Sequence, residues 1–174
     1  MGAPMASSIS RRAALRRLAA VTLGAATLPT LASMVACASS VPRSIAYGRE
    51  ECAWCRMTVS DARFGAVMLT PTGKQEVFDS VECLAAATLA LDAAEQSRAA
   101  TRSWVTDWLH PGTLVPASTA GYLRSDGPGS PMGKGLQAFA SQADAEGEQR
   151  QSGGLTLSWE EVLTLVGAGR ATRG

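Results

Sequence analysis

Gly65-Ala-Val-Met-Leu-Thr70-Pro-Thr-Gly-Lys74-Gln-Glu-Val-Phe78-Asp-Ser-Val-Glu-Cys83 is the stretch that decides the fold. Residues 65–70 are a short apolar run with the composition of a buried strand. Pro71-Thr-Gly-Lys74 is a turn, and residues 75–78 read as a second strand, so the pair is a β-hairpin. Asp79 stands three residues before Glu82, a capping-box spacing ahead of an alanine-rich apolar run. That spacing predicts a helix over residues 80–97. Its many alanines let it lie close against the hairpin.

Toward the C-terminus the style repeats. Residues 103–109, 114–116 and 120–124 read as strands. Ser125-Asp-Gly-Pro-Gly-Ser-Pro131 is a turn-rich loop, followed by a strand over 137–140. Ser141 with Asp144 starts a short helix that runs to about Arg150. A strand over 153–157 comes next, and Ser158 with Glu161 caps a last helix ending at Gly167. Residues 168–174 read as a frayed tail. The expectation is an α+β fold made of two successive small β–α units, with no repeat visible in the sequence itself.

Toward the N-terminus the chain changes character. Residues 45–64 have few periodic apolar positions and read as a loop that carries chemistry. All nine aromatic residues lie at Tyr47 or later. Residues 1–36 read as a targeting segment. Arg11, Arg12, Arg16 and Arg17 form its positive region, and Leu18-Ala-Ala-Val-Thr-Leu-Gly-Ala-Ala-Thr-Leu28 is an apolar run too short to span a bilayer comfortably. Ser10-Arg-Arg-Ala-Ala-Leu15 resembles a twin-arginine export motif. Leu31-Ala-Ser-Met-Val-Ala-Cys37 resembles a lipobox, in which Cys37 would be acylated and become the mature N-terminus. Residues 37–46 would then be a lipidated tether, and residues 47–167 the folded body.

Composition narrows the classes. A hydrophobic fraction of 46% is too high for a disordered chain. Four of the 16 basic residues lie in the leader, which has no acids; the rest of the chain has 12 basic and 15 acidic residues, a net of −3. With no basic stripe, and with Lys74 and Lys134 far apart, the body is not a nucleic-acid binder. There is no glycine-rich phosphate loop, no GxSxG and no HExxH, and His110 is the only histidine. Imidazole-based acid–base catalysis has little to work with.

Sulfur is concentrated instead. Cys52-Ala-Trp-Cys55-Arg-Met57 puts two thiols and a thioether within six residues, and soft thiolate and thioether ligands select Cu(I). Methionine cannot form a disulfide and is a poor zinc ligand, although its commoner use is to fill a core. Export would place the thiols where they tend to oxidise. With Cys37 acylated, Cys52, Cys55 and Cys83 remain, an odd number that cannot all pair internally. Cys83, one turn into the expected helix, is a buried small hydrophobe, a disulfide partner of Cys52, or a ligand. Met132, on a tight turn, is a second thioether candidate, and His110 is the one imidazole ligand on offer; the expected core ligands are Cys55 and Met57, then Cys52 and Met132, with Cys83 and His110 after them. Trp54 would shield a metal from water or stand exposed for docking.

The order lipobox, CxxCxM, hairpin, Phe78-Asp-Ser-Val-Glu-Cys83, Trp104-Val-Thr-Asp107, Ala120-Gly-Tyr-Leu123, Ser130-Pro-Met-Gly133 and Leu136-Gln-Ala-Phe139 resembles the NosL family. The similarity runs from Cys52 to about Leu165. It implies a Cu(I) chaperone that delivers copper to periplasmic nitrous-oxide reductase, with an ABC-type membrane complex as a docking partner. It also implies two ββαβ-type units, similar to part of the organomercurial lyase. Cys52, Cys55 and Met57 fall on the family's sulfur motif and Met132 on its PMG methionine. Two positions depart from the pattern: Arg56 replaces the glycine often found before the motif methionine, and Trp54 stands where many members have histidine.

The reading is therefore a lipid-anchored copper carrier rather than an enzyme, on the periplasmic side of the envelope. Ala38, in place of an aspartate after the lipid cysteine, leans toward the outer membrane. Three rivals remain open: a thiol–disulfide reductase on Cys52 and Cys55, a structural zinc site, and a carbon–mercury lyase using Cys55, Cys83 and Asp61.

Overall fold

The central hairpin forms as the apolar pattern requires. Strand β1 (Ala66–Leu69) pairs antiparallel with β2 (Gln75–Phe78), with Val67 opposite Val77. The turn is closed by Gly73 N–H donating to Thr70 O and Thr70 N–H donating to Lys74 O, both at 2.9 Å. The computed structural model describes residues 41–93, 101–127 and 129–171. The expected leader, Cys37 and residues 94–97 of the expected first helix lie outside the described residues.

β2 runs directly into helix α1 (Val81–Ala93). β3 (Arg102–Thr106) pairs with the free side of β1, and β4 (Leu114–Pro116) adds to β3. The first sheet therefore has the order β2-β1-β3-β4, antiparallel throughout. The second half repeats the plan with β5 (Gly121–Arg124), β6 (Leu136–Phe139), α2 (Gln142–Ser152) and β7 (Leu155–Leu157), giving a sheet ordered β6-β5-β7. In both units the first strand is central, the second is its hairpin neighbour, and the strand after the helix returns to the other side. The second unit is ββαβ, and the first is ββαβ with β4 added. Helix α3 (Trp159–Ala171) follows and packs against α1.

Alternation along the strands builds the core. Tyr122 and Leu136 join the main cluster with Val67, Phe78, Leu84, Val105 and Val162, while Leu123 and Phe139 turn to the other face and pack on Ala145 of α2. The Tyr122 hydroxyl, fully buried, donates to Ala117 O at 2.7 Å.

Several local expectations shift, and β7 begins at Leu155 rather than at residue 153. The first helix is capped by Ser80, whose Oγ accepts from Cys83 N–H at 3.3 Å; Asp79 is buried one residue earlier, and Glu82 turns away from the cap. The strand expected over 103–109 ends at Thr106, because the buried Asp107 side chain accepts from Leu109 N–H and Ala140 N–H, both at 3.3 Å, and bends the chain into a turn. The last helix continues past Gly167 to Ala171, so most of the expected frayed tail is helical. β6 also begins one residue early, at Leu136. The other two caps form as expected: Ser141 Oγ accepts from Asp144 N–H, and Ser158 exchanges hydrogen bonds with Glu161.

At Gly121 the strand β5 lies hard against the start of α2. A Cβ there would lie 2.4 Å from Ser141 O and 2.6 Å from Gln142 Cα, both backbone atoms that cannot turn aside. Gly121→Ala is expected to cost about 1–3 kcal/mol as overpacking. Urea unfolding checks it: the midpoint should fall while the slope stays constant.

Candidate metal centre

The CxxC segment is held by main-chain bonds rather than by a helix. Cys52 N–H donates to Met57 O at 2.8 Å, and Arg56 N–H returns to Cys52 O at 3.1 Å. An isolated antiparallel bridge between Glu51 and Thr58 closes the loop. Ala53 N–H donates to Val77 O at 2.8 Å and so pins the loop to β2. Arg56 takes a left-handed conformation with φ 67°. Glycine enters that region without steric cost, whereas a side chain does not. This explains why a glycine suits the position and marks Arg56 as mildly strained.

Because β2 feeds α1 through Ser80, pinning the loop to β2 also sets it against the first turn of the helix. The result is that Cys52, Cys55 and Cys83 bring their sulfur atoms within 4.8 Å of one another. All three are free thiols; Cys52 and Cys83 are buried and Cys55 is half-buried. No carboxylate or imidazole joins this cluster among the described residues.

The electrostatics of the cluster are uneven. A hydrogen bond from Cys83 holds the Cys52 thiol down to about 5, against the opposing effect of burial, with further help from the backbone N–H groups of Cys55, Asp79 and Trp54. Cys55 N–H lies 3.5 Å from Cys52 Sγ. Cys83 is pushed well up, chiefly by donating that hydrogen bond and then by its burial and the charge of Cys52. Cys55 is pushed up mainly by burial. Burial also raises the Asp79 carboxyl, with the Cys52 charge adding to it. Within the cluster, negative charge is favoured on Cys52 over Cys55 and Cys83.

The other expected site residues fall around it in different ways. Met57 sits at the end of the loop and is 52% exposed. Met132 is 40% exposed and shares a cleft of about 130 Å³ with Trp54, Glu82, Cys83, Lys134 and Val166. His110 stands outside the cluster, its Nδ1 2.6 Å from Asp107 Oδ2. Asp61 is turned to Arg63, with an oxygen–nitrogen distance of 2.6 Å. Glu82 is the residue that sequence reasoning misplaced, since its capping spacing masked a buried carboxylate beside Cys83. The signal available was a charged residue inside an otherwise apolar helical start.

Comparison with protein-family models matches residues 45–165 to NosL. The chain belongs to the NosL family. No curated protein matches the sequence. Among solved structures, the chain is similar to the crystal structure of the copper chaperone NosL from Shewanella denitrificans, with a TM-score of 0.54 and 23% identity, over 69% of this chain and 96% of that one. The shared fold is the NosL fold, and the two-unit plan expected from the sequence is the one observed.

In this NosL chain the thiolate is open to direct test. The reduced, metal-free protein should show one thiolate per chain by ultraviolet absorption at neutral pH. It should titrate with a midpoint of about 5 and be lost in Cys52→Ala. A midpoint near the ordinary cysteine value, about 8.5, would contradict the hydrogen-bonded cluster. The depressed Cys52 pKa has a stability consequence of defined sign. Its contribution is complete above the ordinary thiol pKa and is lost as the pH falls through about 5.

Proposed function

We propose that this protein carries Cu(I) on Cys52, Cys55 and Cys83 and hands it to a copper enzyme. The observation that carries the reading is the cluster itself: three free thiols within 4.8 Å, with no nitrogen or oxygen ligand joining them among the described residues. A soft, three-sulfur, low-coordinate set suits Cu(I), which accepts such geometry. Structural zinc calls for a fourth ligand in a tetrahedral arrangement, and His110 lies outside the cluster. Thiol–disulfide exchange needs an attacking thiolate that a protein disulfide can reach, whereas Cys52, the thiol favoured to ionise, is buried and the half-buried Cys55 is pushed up instead. The protein binds and passes on its cargo and is not an enzyme.

The two exposed thioethers, Met57 and Met132, are exit ligands: neutral, soft and near the surface, they take up the ion as thiolates release it. Membership of the NosL family supports copper as the cargo, in keeping with the copper chaperone of that fold. The family resemblance supports nitrous-oxide reductase as the client and an ABC-type membrane complex as the docking partner. Acylation at Cys37 would anchor the carrier on the periplasmic side of the envelope, at the outer membrane. Tethering raises its effective concentration near donor and acceptor.

Anaerobic competition of the reduced protein against a Cu(I) chelator, with Zn(II) in parallel, tests the reading. One Cu(I) should be held far more tightly than zinc. Cys83→Ala should weaken copper more than about a hundredfold, beyond what loss of an outer-sphere contact does. Met57→Ala should weaken it less. With Cys52 already ionised, uptake by three thiolates releases two protons, so affinity rises with pH by two logarithmic units per unit below the pKa values of Cys55 and Cys83. Release of one proton, with Met57→Ala as damaging as Cys83→Ala, would mean a two-thiolate, one-thioether site. Preference for zinc, or no metal bound, would overturn the copper reading.

A further inference from the structure

The sulfur cluster and Met132 belong to different units of the fold, and one buried side chain joins them. Glu82, next to Cys83 on α1, is only 3% exposed. Its Oε1 accepts a hydrogen bond from Ser130 Oγ. Ser130 Oγ accepts in turn from Gly135 N–H at 3.0 Å, and Ser130 O accepts from Gly133 N–H at 2.8 Å. Residues 130–135 are thereby drawn into a tight turn with Met132 near its tip. Gly135 fixes how the turn sits: its φ is 68°, and a Cβ there would lie 2.1 Å from Ser125 O. Glu82 Oε2 has no hydrogen-bond partner among the described residues. The buried carboxylate is therefore held through its contact with the Met132 turn. A buried acid with an unsatisfied oxygen is costly, which calls for a role beyond filling space.

We propose that Glu82 is a positioning residue: through Ser130 it clamps the Met132 turn at the cleft that Cys83 lines, so that the Met132 thioether meets the ion as it leaves the cluster. This rests on the reading of the three thiols as the copper site and of Met132 as an exit ligand. The step is a ligand exchange with no redox change. The bond from Cu(I) to Met132 sulfur forms, the bond to Cys83 sulfur breaks, and the freed thiolate takes up a proton. Glu82 is not a member of the sulfur cluster; it sets where the incoming sulfur waits.

The test is the rate at which the full chain, loaded with Cu(I), gives up its copper to bicinchoninate, read beside the equilibrium Cu(I) affinity. Ser130→Ala and Glu82→Ala should each slow transfer about tenfold, the scale of a lost buried hydrogen bond. Equilibrium affinity should stay within about threefold of the parent, because the thiolates are untouched. Met132→Ala should slow transfer similarly, and adding Ser130→Ala to it should change nothing further, since residues acting as one unit are not additive. Glu82→Gln keeps a carbonyl acceptor for Ser130 and should transfer at close to the parent rate. Additive slowing in the double variant, or Glu82→Gln as slow as Glu82→Ala, would overturn the clamp. If Met132→Ala is slow and Ser130→Ala is not, the clamp alone falls. If Met132→Ala transfers at the parent rate, the exit-ligand reading falls and the clamp falls with it.

Discussion

The hydrogen bond from Ala53 N–H to Val77 O is the contact on which the candidate site depends. Cys52 and Cys83 are distant in sequence and lie on segments with no local reason to meet. Val77 is one residue from the end of β2, and β2 passes through the Ser80 cap into α1. Fixing the loop on β2 therefore fixes it against the first helical turn as well. The buried hairpin supplies the rigidity, and the loop, which has almost no regular structure, borrows it. This is the general logic of sites built on loops that a scaffold positions.

Having brought three thiols together, the fold must prevent them from costing too much. It does so by concentrating charge on one sulfur. Cys52 receives a hydrogen bond from Cys83 and main-chain N–H groups, while Cys55 and Cys83 stay protonated. A soft cation arriving there replaces protons rather than water. The site is prepared for a metal without having to carry three negative charges in the metal-free state.

Much of this was legible in the sequence. The hairpin, the ββα opening, the second unit and the Ser141 and Ser158 caps follow from apolar pattern and side-chain chemistry that act locally. The CxxCxM motif and Cys83 were visible as sulfur donors, but which of them meet was not, because that depends on the loop's tertiary contact with β2. The errors have the same origin. Asp79 and Glu82 have capping-box spacing, yet Ser80 caps the helix because Glu82 finds a tertiary partner in Ser130. Apolar residues continue through Leu109, yet β3 ends at Thr106 because the Asp107 carboxylate binds main-chain groups that include Ala140 of a distant segment. Gly167 has the look of a helix stop, yet α3 passes through it while lying against α1.

The same loop has a consequence for solubility. β2 is an outer strand of its sheet, and an outer strand offers unpaired main-chain groups to any other chain. Here Ala53 N–H occupies Val77 O, and Arg43 exchanges two hydrogen bonds with the Gln75 side chain, at 2.9 and 3.1 Å. The segment that carries the thiols is also the cover of an otherwise adhesive edge. Damage to the loop, whether by oxidation of its cysteines or by proteolysis, would thus do more than abolish metal binding. It would uncover a strand and leave the protein open to self-association through that edge.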